Sequence, residues 1–204
     1  MLRAKQIFDQ SYSRVLGMHD LRNHLVNVQH FNSEFISDIL RSEIVYIVSA
    51  LDKFLHDVVK VGILEIFNLQ RQETPAFNNF SISISQMNSI MNPLTNQNPN
   101  AILEEIVITN HRHLSFQDPD KIAQALSLIW LETHKWQKIA IKLGMTEMAL
   151  KVELKNIVIR RNQIVHEGDI DLFSNDIQDI NENDVLKSVN FINSLVNAIY
   201  DSII

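Results

Sequence analysis

Arg161, Asn162 and His166 stand close together in the run Arg160-Arg161-Asn162-Gln163-Ile164-Val165-His166. A guanidinium, an amide and an imidazole suit one reaction in particular, cleavage of an RNA phosphodiester without a metal. In that reaction the 2′-hydroxyl attacks the adjacent phosphorus. A base removes its proton, an acid protonates the leaving 5′-oxygen, and a cation stabilises the crowded phosphorus. Arginine offers paired planar donors to phosphate oxygens. A free imidazole titrates at about pH 6.5, so it can serve as acid or base. The amide donates and accepts, and so can orient a phosphate or the imidazole. One arginine and one histidine do not easily fill all three roles, but two copies facing each other across a dimer axis do.

The helix that carries these residues decides whether they can cooperate. At 3.6 residues per turn Asn162 and His166 lie about 40° apart, one turn above the other, while Arg161 and His166 lie about 140° apart. Both reach one substrate only from a groove along that edge, or from a distorted last turn. The pattern ends a helix at His166, with Gly168 as the left-handed stop. Free carbonyls at such an end, with Glu167 and Asp169 beside them, favour a protonated imidazole. The same residues also have a purely architectural reading, since arginine and histidine are ordinary near helix C-termini for dipole and capping reasons.

Around this stretch the chain reads as all-α. It has 204 residues, 46 % of them hydrophobic, enough to bury a sizeable core, and only 4 Gly and 4 Pro interrupt it. Helical periodicity covers residues 2–29, with a weak point at Gly17, and a long second segment from an N-cap at Asn32-Ser33, with Glu34 in the first turn, to about Gln70, where Gly62 marks a kink or break. Residues 71–100 are rich in Asn, Gln, Ser and Pro and read as one long polar loop, with a short helix near Ile84–Met91 or a short strand in "FSISIS". Helices follow from Pro99 to about His111, from Asp118-Pro119 through Trp130 and Trp136 to Gly144, from Thr146 to His166, and from Asn183-Asp184 onward, with an acidic loop at 169–181. The expectation is a multi-helix bundle folded as one domain over residues 1–204.

Composition narrows function. With no cysteine there is no disulfide and no thiolate metal site, which fits a cytoplasmic setting. The chain opens without a signal-peptide pattern, its apolar runs are too short to span a bilayer, and it carries no glycine-rich phosphate loop. A net charge of −6 means that any RNA contact must come from a local patch. Lys151, Lys155 and Arg160, on the helix of the candidate site, are the residues for it, ahead of the stripe Lys135, Lys138 and Lys142. His111 and His113 suggest a metal pair, but residues two apart on a helix face nearly opposite ways, so no metal and no cofactor is expected. Asp52 and His56 lie four apart just after the apolar run "IVYIVSAL". A carboxylate there needs a partner. One reading pairs Asp52 with Arg161 or His166 as an orienting group; the other is a local arrangement with His56 or Lys53.

The pattern resembles a known family. Arg161-Asn162-Gln163-Ile164-Val165-His166 matches the R-[polar]-x-x-x-H motif of HEPN domains, and "RNQIVHEG" looks especially like the RiboL-PSP branch. "SALDKFLHDVV", residues 49–59, resembles the long second-helix signature of that branch. The resemblance implies a bundle of four or more helices that dimerises, bringing two motifs into a shared cleft. It implies a metal-independent endoribonuclease of toxin–antitoxin, antiviral or RNA-processing type, with Arg161 and His166 catalytic and Asn162 their polar partner. It also implies RNA as substrate and an antitoxin or other regulatory protein as partner. The alternatives are a non-catalytic HEPN module that binds RNA, nucleotide or protein, and a structural helical adaptor. In one respect the chain departs from relatives silenced by nucleotidyltransferase antitoxins. They often carry a tyrosine two residues after the histidine, where this chain has Gly168.

Overall fold

In the computed structural model, residues 1–31, 35–92, 98–171 and 173–204 are described. The described residues form helices α1 (Leu2–Asn27), α2 (Phe35–Phe67), α3 (Pro75–Asn78), α4 (Ile84–Met91), α5 (Pro99–His111), α6 (Pro119–Ser127), α7 (Lys135–Lys142), α8 (Glu147–His166) and α9 (Glu182–Ile203). Among them no strand forms, and one isolated bridge pairs Ile170 with Ile177. The architecture is the expected all-α bundle. No helix among the described residues is long and apolar enough to cross a membrane.

α2 is the axis of the bundle. At 33 residues it is about 50 Å long. Leu40, Ile44, Ile47, Val48, Leu51, Phe54, Leu55, Val58, Val59 and Ile63 are all buried, along an arc of about 180°, while Tyr46, Ser49 and Lys53 are exposed on the opposite face. So wide an apolar face needs several neighbours, and α1, α5, α6, α8 and α9 pack against it. α9 buries the stripe Val185, Val189, Ile192, Val196, Ile199 and Ile203. α1 offers a sparser one, Ala4, Phe8, Val15 and His19.

Local chemistry sets the helix ends. Asp118 Oδ1 accepts from the Asp120 N–H at 2.9 Å with Pro119 in the first turn, and Thr146 Oγ1 accepts from the Ala149 N–H at 3.2 Å. Ser83 and Gln86 form a reciprocal capping box. That box makes Ile84–Met91 the short helix rather than a strand. Asn181 caps α9. The N-cap expected at Asn32-Ser33 lies outside the described residues.

Three expectations need correction. Gly17 does not interrupt α1, and Gly62 does not end α2. Gly62 instead marks a close approach, because a Cβ there would lie 2.5 Å from Ile129 Cγ2. Ile129 is itself buried and cannot swing clear. Gly62→Ala is therefore expected to destabilise by about 1–3 kcal/mol through overpacking. It should lower the urea midpoint; an unchanged midpoint would show that Ile129 gives way.

The third correction concerns the single helix read from Asp118 to Gly144, which is two, α6 and α7. The break depends on residues remote in sequence. Thr74 Oγ1 donates to the Leu128 carbonyl at 3.1 Å, and Arg71 Nη1 donates to the Ile129 carbonyl at 3.3 Å. Those bonds satisfy carbonyls that a continuing helix would have used. Glu132 then accepts the His134 N–H at 2.9 Å and pairs with Lys138, which starts α7.

Candidate active site

α8 presents two apolar faces. Leu150, Leu154 and Ile157 are buried inward, whereas Met148 is 78 % exposed and Val152 and Ile159 about half exposed. Met148, Val152, Lys155, Ile159, Asn162 and His166 follow one another at alternating spacings of four and three. On a regular helix they share an arc of about 80°. The outer apolar stripe thus runs straight into Asn162 and His166. Arg161 falls near the azimuth of Leu150 and Leu154, on the packed side.

The last turn of α8 is regular. The helix continues to His166, and the Glu167 N–H donates to the Gln163 carbonyl at 3.0 Å. A distorted turn therefore does not bring His166 round to Arg161. Arg161 is half-buried and its Nη1 donates to Asn162 Oδ1 at 3.0 Å, while its Nε is buried without a partner among the described residues. That bond holds the guanidinium beside Asn162. His166 is exposed and has no hydrogen-bond partner among the described residues. It is free to meet an incoming group, but in one protomer it diverges from Arg161.

The residues flanking the motif have a different task. Gly168 and Asp169 both take left-handed backbone, with φ of +64° and +59°. This reversal turns the Asp169 carboxylate inward, where it is only 1 % exposed. Arg41 Nε of α2 donates to Asp169 Oδ2 at 2.6 Å, Arg160 Nη2 donates to the same oxygen at 2.8 Å, and Arg160 Nη1 donates to Oδ1. Arg41 Nη2 also donates to the Gln178 carbonyl at 2.6 Å. Arg160, read from sequence as an RNA contact, is thus engaged inside the protein. Asp169, read as a charge acting on His166, is committed to two guanidiniums. Sequence reasoning missed this cluster. Its only trace was an arginine, Arg41, in a strongly apolar helix.

Asp52 and His56 lie elsewhere along α2. Asp52 Oδ1 accepts the Phe116 N–H at 2.6 Å, and Oδ2 lies 3.9 Å from His56 Nε2. Among the described residues no bond joins Asp52 to Arg161, His166 or Lys53; its short bond goes to the distant Phe116, with His56 at the margin of an ion pair. His56 packs on Phe116 with ring centroids 4.4 Å apart, and His111 packs on Phe116 at 5.7 Å. Burial, with His56 nearby, pushes the His111 imidazole below its ordinary pKa.

Of the lysines on α8, Lys151 pairs with Glu147 at 2.5 Å, and Lys155 is exposed within the outer stripe without a partner among the described residues. The discounted stripe is occupied too. Lys135 is buried over the Trp130 ring, Lys138 pairs with Glu132, and Lys142 Nζ donates to the Asp201 carbonyl at 2.9 Å. Lys138 and neighbouring backbone N–H groups hold the Glu132 carboxyl down to about 2.

A second polar cluster, also unforeseen, joins α1, α2 and α9. Glu43 is fully buried, and its Oε2 lies 3.1 Å from His19 Nδ1. His19 Nε2 lies 3.4 Å from Glu182 Oε1, and Arg22 also pairs with Glu182. Burial raises the Glu43 carboxyl above its ordinary value, against the lowering effect of His19 and Arg22.

Residues 18–204 match the model of the RiboL-PSP-HEPN family. No curated protein and no solved structure matches the chain.

Proposed function

The chain belongs to the RiboL-PSP-HEPN family, and on that premise we propose that it is a metal-independent endoribonuclease acting as a homodimer of one-domain subunits in the cytoplasm. Its products are a 2′,3′-cyclic phosphate and a 5′-hydroxyl. Arg161 stabilises the phosphorus dianion, His166 transfers the proton, and Asn162 holds the guanidinium. Toxin or antiviral defence is the setting, and a regulatory protein keeps the enzyme silent. With Gly168 in place of a tyrosine, nucleotidyl modification at that position is not the silencing route.

One observation carries this reading. His166 stands exposed and unpartnered at the end of an outer apolar stripe, while Asn162 on the same face holds the Arg161 guanidinium. Because Arg161 and His166 diverge by about 140° on a regular helix, a working site takes its arginine from one copy and its histidine from the other. Met148, Val152 and Ile159 supply apolar area for a two-fold contact beside those groups. Lys155 lies in the same stripe and is the basic residue best placed to meet the RNA backbone.

The test is Ile159→Asp. It should leave the helical spectrum intact, turn the dimer into monomers in sedimentation, and remove cleavage of a labelled RNA, with chelator making no difference to the unmodified protein. A monomeric unmodified protein that cuts RNA would overturn the composite site. One observation favours the non-catalytic alternative. Between Arg161 and Lys187 the sequence carries seven acidic residues and no lysine or arginine, and although Asp169 and Glu182 are paired with arginines, the rest repel RNA on that side of His166.

A further inference from the structure

Among the described residues His166 makes no hydrogen bond of its own, so its position follows from the backbone of the last turn of α8. Helix ends fray unless something ties them. In this chain the tie is made on both flanks of the motif. Arg160 immediately precedes Arg161, and Asp169 follows His166 by three residues. The Arg160 guanidinium grips both oxygens of Asp169, closing residues 160–169 into a loop with the motif inside it. Arg41 then fastens that loop to α2 through Asp169 Oδ2 at 2.6 Å. The main chain is drawn in by the same residue. The Asp169 N–H donates to the Gln163 carbonyl at 3.0 Å, and its carbonyl accepts from the Gln178 N–H at 2.8 Å.

We propose that Asp169 is a positioning residue for the RNA-cleaving site, acting through the Arg41–Asp169–Arg160 clasp to fix where α8 ends and therefore where His166 is presented. The proposal rests on the reading of Arg161 and His166 as catalytic. The clasp is costly to assemble. An aspartate in left-handed backbone carries strain, and buried charges bear a desolvation penalty that only well-placed partners offset. Apolar side chains of similar volume would serve a purely structural joint at least as well. What a charged, bidentate joint adds is a fixed orientation of the groups it holds. Fine placement matters at such a site, where a misplacement of about 1 Å can cost about a hundredfold in rate.

The experiment compares the full-length protein with Asp169→Asn, which keeps shape and removes the charge, and with Arg41→Lys, which keeps a charge and removes the fork. Gly62→Ala serves as a control that lowers global stability about 30 Å along α2 from Arg41. Cleavage of a defined RNA is measured as kcat and KM, and the His166 ring is followed by carbon–proton NMR. Asp169→Asn is expected to lower kcat by about ten- to a hundredfold with KM little changed, and to shift or broaden the His166 ring signals. Arg41→Lys should do the same more mildly, and it stands in if Asp169→Asn does not fold. The control should leave the ring signals in place. Unaltered His166 signals in a folded Asp169 or Arg41 variant, or an unaltered kcat, would overturn the proposal. If the unmodified protein cuts no RNA, the catalytic reading fails, while the NMR comparison still decides whether the clasp positions His166.

Discussion

His166→Ala and Arg161→Ala are each expected to abolish RNA cleavage while leaving the helical spectrum and unfolding midpoint nearly unchanged. His166 is exposed and unpartnered, so its removal leaves no cavity and no stranded polar group. Loss of a proton-transfer group costs about 10²–10⁴ in rate. Loss of a preorganised donor to developing phosphorus charge costs about 10²–10³. Arg161 bonds Asn162 rather than the core, so little stability goes with it. The divergence of the two side chains on α8 adds a sharper outcome. Mixing the two inactive proteins under conditions that exchange subunits should restore activity. In a two-fold dimer with random exchange, half the dimers are mixed and each has one complete site, so about a quarter of full activity returns. No recovery, with exchange verified, would mean either that arginine and histidine act from the same chain or that one shared cleft needs both copies of each. Full activity in either single variant would remove the residue from the mechanism.

The sequence carried the parts of this site that are written locally. Asp118-Pro119, Thr146 and Gly168 announce their helix ends through side-chain and backbone chemistry within a few residues, and all three ends are where that chemistry puts them. The motif is legible for the same reason, since a four-residue spacing on a helix fixes Asn162 under His166. What was not legible depends on residues far apart in the chain. α6 stops where Thr74 takes the carbonyl of its C-cap, Leu128, and Arg71 that of Ile129 just beyond. Arg160 turns inward because Arg41, more than a hundred residues earlier, shares Asp169 with it. Asp52 takes Phe116 rather than the motif, a choice among partners that periodicity cannot rank. Gly62 was read as a weakness in a helix, but only the position of Ile129 shows it to be a contact.

The pair of His19 and Glu43 should give a large, pH-dependent stability effect. Glu43 is fully buried between α1, α2 and α9, its Oε1 has no partner among the described residues, and His19 is bonded to its other oxygen. Removing one member of a buried pair strands the other and costs about 3–5 kcal/mol, so His19→Ala should lose that much near neutral pH. The pH dependence follows from the direction of the Glu43 shift. Its carboxyl is held above the ordinary value in the folded protein, chiefly by burial. A raised acid favours folding below its unfolded pKa and loses that contribution as pH rises through the folded value. Without His19 the carboxyl rises further, so the loss should deepen as pH rises through the folded value and become shallower below it, where protonation relieves the stranded charge. Glu43→Gln carries no ionisable group. Its stability relative to the unmodified protein should therefore improve from pH 5 to pH 7.5. In the His19→Ala background the same change should recover most of the loss. Urea titrations of the four proteins at the two pH values give the cycle directly. A His19→Ala penalty that is small, or equal at both pH values, would show that Glu43 finds water or another donor, and that the joint between α1, α2 and α9 does not depend on this pair.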